Sequence, residues 1–276
     1  MAKSSPSKFL EDPPTSIIDT GDYKVMGVDE TYHGMTYSDL IQDWHNWVFS
    51  HQPDDQVDPD LTYLRGDMLG DPIYPQQYGL DPSDFSVVED VRTVYDRRGV
   101  KGLTITDKTA IFFPVYGSNF VVGDVYKGKR LETTNECRIN AREEFKFVSK
   151  VWAVYRDLKN GESRPIVKKK GEKPANLFDF YAECTAFDLS VSAGNRVNRE
   201  AGFYLQGQKQ YESVAVGIFL LMFGFTAGAH FQLDYGGLSG FEYNTRAIYD
   251  IKVVSGSDQR DKDISDAIVK RPYPPK

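Results

Sequence analysis

The sequence predicts a mainly β protein: an antiparallel β-sandwich of jelly-roll type, with one N-terminal amphipathic helix and an extended arm at each end. Three observations carry that prediction. In VAVGIFLLMF (214–223) every residue is apolar or glycine, and because alternate side chains of a strand point to opposite faces, such a strand must be covered on both sides. Residues 229–235 then alternate, with Phe231, Leu233 and Tyr235 on one face and His230, Gln232 and Asp234 on the other, the pattern of a half-buried strand. Residues 242–254 alternate again. Tyr243, Thr245, Ala247, Tyr249, Ile251 and Val253 read inward, while Asn244, Arg246, Asp250 and Lys252 read mostly outward.

Along the chain, residues 1–32 are rich in Pro, Ser, Asp and Gly and show no sustained period, so they read as an extended N-terminal arm. A single sandwich domain is expected over 33–254. Its helix spans 37–50: Tyr37, Leu40, Ile41, Trp44, Trp47 and Val48 recur at 3.6-residue spacing, with Asp39, Gln42, Asp43 and Asn46 opposite. Thr36 is placed to cap it, with Asp39 as the acidic partner three residues on. A long irregular loop follows over 54–86, punctuated by Pro59, Pro72, Pro75 and Pro82. Loops of that length are usually functional or pinned against something.

Strands resume at 87–95, 102–106 and 109–116, with Pro114 demoting the end of the last to an edge or a bulge. A short helix is expected over 134–144, a long strand over 145–157, and Asn160-Gly161 signals a hairpin into 164–169. Residues 185–192 read as a further strand, and Gly236-Gly237-Leu238-Ser239-Gly240 as a loop between strands. Residues 255–276, ending in PYPPK, form a second, C-terminal arm.

At 276 residues the chain suits one large sandwich. A net charge of -7 argues against general nucleic-acid binding, which needs a concentrated basic face. The local basic run Arg164, Lys168, Lys169, Lys170 and Lys173 reads as a solvated hairpin edge, where lysines discourage edge-to-edge pairing. The N-terminal stretch has no apolar h-region, so cytosolic synthesis is expected. The longest uncharged apolar run, 213–229, contains three glycines and falls short of a membrane-spanning helix. Cys137 and Cys184 fit two free thiols better than a bridge in such a chain.

Three stretches resemble a group of uncharacterised, mostly exported bacterial β-sandwich proteins. They are YSDLIQDWHNWVFSHQPDD, like that group's Tyr/Trp helix; ITDKTAIFFPVYGSN, like its FFP strand; and SVAVGIFLLMFGFTAGAHFQLDYGG, like its C-terminal Gly-His hairpin. The resemblance implies a β-sandwich and supplies no activity. This chain departs from the group in its arms and in lacking an export signal.

No catalytic or cofactor-binding constellation stands out. The histidines at 33, 45, 51 and 230 lack the one-turn spacing of a zinc helix and read as surface or capped residues. His230 and Asp234 share a strand face but lie about 13 Å apart at 3.3 Å per residue, too far to pair. Asp54, Asp55, Asp58 and Asp60 are weak calcium candidates: the loop beginning at Asp58 lacks the glycine and glutamate of an EF-hand, so no metal is expected there. Trp44 and Trp47 read as core packing rather than a sugar platform. Tyr63, Tyr74, Gln76, Gln77 and Tyr78 suit a protein interface, being amphipathic residues in a long loop.

These readings favour a non-enzymatic structural or interaction protein of a larger symmetric assembly, such as a capsid-associated or tail component of a virus or phage. Its expected partners are other subunits, homo-oligomeric copies among them, with no membrane, no direct nucleic acid and no cofactor. A cell-surface or extracellular carbohydrate-binding module is the alternative.

Overall fold

The computed structural model describes residues 17–50, 61–64, 101–169, 171–190, 196–198, 204–206, 210–239 and 245–256. The elements are β1 (Ile18–Asp19), β2 (Lys24–Val25), α1 (Tyr37–Ser50), β3 (Leu61–Tyr63), β4 (Lys101–Thr106), β5 (Ala110–Val121), β6 (Val125–Tyr126) and β7 (Lys129–Arg130). They continue with α2 (Thr134–Phe145), β8 (Val148–Asp157), β9 (Ser163–Pro165), a 3-10 turn at Leu177–Phe180, β10 (Tyr181–Ser190), β11 (Arg196–Asn198), β12 (Tyr204–Gln206), β13 (Gln210–Phe223), β14 (His230–Ser239) and β15 (Thr245–Val254). The protein is mainly β, as expected. The strand expected at 87–95 lies outside the described residues.

Two sheets make the body. A six-stranded sheet runs β1-β2-β13-β5-β3, with β10 also paired to β13, and a five-stranded sheet runs β4-β15-β14-β8-β9. The expectation of a purely antiparallel jelly roll is corrected: β3 pairs with β5 in parallel, and β15 pairs with β4 in parallel. Pairs close in sequence, such as β8–β9 and β14–β15, are antiparallel, whereas the parallel pairs are separated by long stretches of chain that leave room for a crossover.

β13 lies against sheet on one face and helix on the other. Val214, Val216, Ile218, Leu220 and Met222 belong to the core shared with the five-stranded sheet, where Phe113 of β5 meets Tyr235 of β14 with ring centroids 4.4 Å apart. Ala215, Phe219 and Leu221 belong to a second cluster with Tyr37, Leu40 and Ile41 of α1. That explains the unbroken apolar run.

Pro114 lies just past the β5 residues that pair with β3, and the β5–β13 register slips beside it in the expected bulge: Tyr116 pairs with Ile218 and Pro114 with Phe219, which leaves Val115 unmatched. A bulge places two successive residues on one face. Val115 and Tyr116 accordingly both enter the inter-sheet core. Tyr116 in turn corrects the loop expected at Gly236–Gly240, because β14 continues to Ser239. A Cβ on Gly237 would lie 2.5 Å from Tyr116 Cδ2, so this glycine keeps a strand in place under an aromatic ring.

Helix α1 begins with the expected capping box. Asp39 N–H donates to Thr36 Oγ1 at 3.2 Å, and Asp39 Oδ2 accepts from Thr36 N–H at 2.8 Å. His45 is a correction. It is buried on the same helix face as Tyr37 and Ile41, two turns and one turn before it, with Nδ1 2.7 Å from the Ile41 carbonyl oxygen. Thr133 caps α2, whose Cys137, Ala141 and Phe145 turn into the inter-sheet core beside β13 and β5. No helix among the described residues is long and apolar enough to cross a membrane.

Candidate functional site

Of the interface residues read from the sequence, Tyr74, Gln76, Gln77 and Tyr78 lie outside the described residues, as do the acidic positions Asp54, Asp55, Asp58 and Asp60. Tyr63 is a strand residue of β3 rather than part of an irregular loop. Its ring lies 5.8 Å from Trp47 and 6.1 Å from Phe112. Trp44 Nε1 donates to the Leu64 carbonyl at 2.8 Å. The tryptophans thus tie α1 to β3.

One set of long-range polar ties fastens the segment 17–28, here termed the strap. All of it falls in the extended arm expected over 1–32, and the structure corrects that reading: β2 pairs with the end of β13 through Val25 and Met222, and Lys24 and Phe223. Tyr23, Val25 and Met26 are buried. Tyr23 Oη donates to the Ile166 carbonyl at 2.9 Å. Arg164 of β9 lies over both tyrosine rings, 5.5 Å from the Tyr23 centroid and 5.0 Å from that of Tyr155, and forms a salt bridge with Asp22. Arg164 therefore does not belong to a solvated basic edge. Burial disfavours its charge, but Asp22 and Tyr23 outweigh that and raise its pKa. Burial also drives the Tyr155 phenol up to about 12, with the Asp22 charge adding to it.

Tyr37 completes the strap. The Met26 N–H donates to the Leu221 carbonyl at 3.0 Å, as a ladder bond would. The reciprocal bond passes through a side chain: the Leu221 N–H donates to Tyr37 Oη at 3.3 Å, and Tyr37 Oη donates to the Met26 carbonyl at 2.8 Å. Burial raises the Tyr37 pKa strongly, so the hydroxyl keeps its proton and the relay keeps its donor.

A second polar set lies on the outer face of the five-stranded sheet. Asp234 takes two bonds from Arg246, at 3.0 and 2.6 Å, and one from Trp152 Nε1 at 2.9 Å. His230 Nε2 stands 2.6 Å from Asp250 Oδ1. The reading that His230 cannot reach Asp234 agrees with these partners, but both cross-strand pairings were missed. Arg246, read as outward, is 4% exposed. The signal was the β14–β15 register: Asp234 faces Ile248 and His230 faces Lys252, which sets Arg246 and Asp250 on the diagonals.

On α2, Arg142 reaches Glu183 of β10 through two bonds of 2.6 Å, and Tyr181 Oη donates to the same carboxylate at 2.6 Å. Cys137 and Cys184 are both free and buried. They belong to the clusters on opposite sides of the six-stranded sheet. Burial raises the Cys184 pKa, which leaves it a poor nucleophile.

Each of these sets joins two or more elements, so its chemistry is that of a tie. Among the described residues no three His, Cys, Asp or Glu side chains come together as a metal site requires. No family model, curated protein or solved structure matches this chain.

Proposed function

We propose that this protein is a non-enzymatic structural component of a larger assembly, most specifically a capsid-associated or tail component of a virion, made in the host cytoplasm. We read its two facing sheets as a β-sandwich. The observation that carries the proposal is the strap. This short segment is laid into the sheet edge and locked by Tyr23, Arg164 and Tyr37, and at its start Ile17 is 45% exposed. A segment near the N-terminus held this firmly at a sheet edge suits contact with a neighbouring subunit.

The test removes residues 1–16, which leaves the strap and its ties intact. Size-exclusion chromatography with light scattering on the full chain should show an assembly, and the truncated chain should fold with unchanged circular dichroism while losing it. A monomeric full chain, or an assembly indifferent to the deletion, sinks the proposal. The carbohydrate-binding alternative loses support from Tyr63, Trp44 and Trp47, whose contacts are internal.

A further inference from the structure

The Asn160-Gly161 pair is the one Asn-Gly step in the sequence, and it forms the tip of the β8–β9 hairpin. Residues 158 to 163 are all exposed. Asn160 Oδ1 accepts from the Glu162 N–H at 2.7 Å, which folds the side-chain amide back along the chain toward Gly161. Gly161 carries no side chain to hinder attack by its nitrogen, and its φ is +75°. Its N–H donates to the Asp157 carbonyl at 2.9 Å. That single bond lies in a solvent-facing turn, where local opening is cheap.

We propose that Asn160 is a site of spontaneous succinimide-mediated deamidation, and that its isoaspartyl product releases the strap. After the Gly161 nitrogen loses its proton to solvent base, it attacks Asn160 Cγ. The N–Cγ bond forms, the Cγ–Nδ2 bond breaks, and the side-chain nitrogen leaves as ammonia after taking up a proton. Solvent water then opens the ring. Opening at Cγ gives aspartate; opening at the main-chain carbonyl gives isoaspartate, with the backbone rerouted through the side chain and one carbon longer. No electron is transferred, and the sum is amide plus water to acid plus ammonia.

The two products differ in consequence. Aspartate keeps an oxygen for the Glu162 N–H and leaves the turn intact. Isoaspartate lengthens the hairpin tip, and the register beyond it, Arg156 with Ser163 and Tyr155 with Arg164, must shift. Arg164 then leaves its place over Tyr155 and Tyr23 and loses Asp22. The strap's anchor lies four residues from the reacting bond.

The full-length folded protein is aged in mildly alkaline buffer, then studied by peptide mapping with isoaspartyl-specific enzymatic labelling and by hydrogen exchange at Tyr23–Met26. The expected result is conversion at Asn160 with isoaspartate as the major product, and at least tenfold faster exchange in the strap. Asn160→Asp, which carries the charge without the extra backbone atom, should exchange like the fresh protein, and Asn160→Gln should resist ageing. An amide that persists in the folded protein while the urea-unfolded chain converts would overturn the proposal. So would isoaspartate formed without faster strap exchange.

Discussion

The hydroxyl of Tyr37 stands in for a strand neighbour of Leu221: it accepts the Leu221 N–H at 3.3 Å and passes a hydrogen bond on to the Met26 carbonyl at 2.8 Å. A helix residue thereby closes a β-ladder. Tyr37→Phe leaves a buried N–H and a buried C=O without this partner, while the ring's packing is unchanged. The expected loss is about 1–3 kcal/mol in chemical denaturation. A loss below about 0.5 kcal/mol would mean that the strap relaxes onto β13 and makes the bond itself.

Gly217 and Gly237 are required for different reasons, and substitution separates them. A Cβ on Gly237 meets the Tyr116 ring at 2.5 Å, whereas one on Gly217 meets the Tyr116 backbone oxygen at 2.5 Å and the Gly117 Cα at 2.8 Å. Both alanine variants should lose about 1–3 kcal/mol or more from overpacking. Adding Tyr116→Ala should relieve the clash at position 237 and leave that at 217. Equal coupling in the two double-mutant cycles contradicts this account.

Ala186 sits at the register shift between β10 and β13 with φ +63°, a left-handed conformation that penalises any Cβ. Its side chain is exposed. Ala186→Gly should therefore stabilise the protein by roughly 0.5–1 kcal/mol, with the lost strain outweighing glycine's extra chain entropy. Thermal unfolding should shift upward; an unchanged or lowered midpoint refutes the strain.

Acid stability should depend on Glu183. Burial alone would raise its pKa, but the hydrogen bonds from Arg142 and Tyr181 win and hold it below the ordinary carboxylate value. A lowered folded value contributes stability that is complete above the unfolded value of about 4.3 and is lost as pH falls through the folded one. Glu183→Gln should flatten that limb of the stability curve. Parallel curves below about pH 4.3 for the two proteins would exclude it.

Alkaline stability has the opposite sign. Burial pushes the Tyr116 and Tyr155 phenols up to about 12. Their contribution is complete below the unfolded tyrosine value of about 10 and is lost as pH rises through the folded value. The share of tyrosinate absorbance that is lost in Tyr116→Phe and Tyr155→Phe should appear together with unfolding between about pH 10 and 12, rather than in the native state ahead of it.

Much of the local structure was legible in residue order. The helix at 37–50 and its Thr36–Asp39 cap follow from spacing along one face. The strand at 214–223 follows from its apolar run, and the turn after Asn160 from an Asn-Gly step. Each depends on neighbours within four residues, and periodicity reports those. The loop expected at Gly236–Gly240 failed because glycine signals a turn only when no distant ring claims the space above it, and Tyr116 does. Tyr63 read as a loop contact because its strand partner, Phe112, is far along the chain.

The sequence by itself determined that the protein is built of strands, that the strand around Val216 is covered twice, and where the helix at Tyr37 begins. Tertiary structure alone decided that two strand pairs run parallel, that Asp234 belongs to Arg246 and His230 to Asp250, and that the segment around Tyr23 is strapped down by Arg164. The physical reason is range. Backbone propensity and side-chain period act over a few residues, whereas register, diagonal pairing and bulges are set by which segments the packed core brings together.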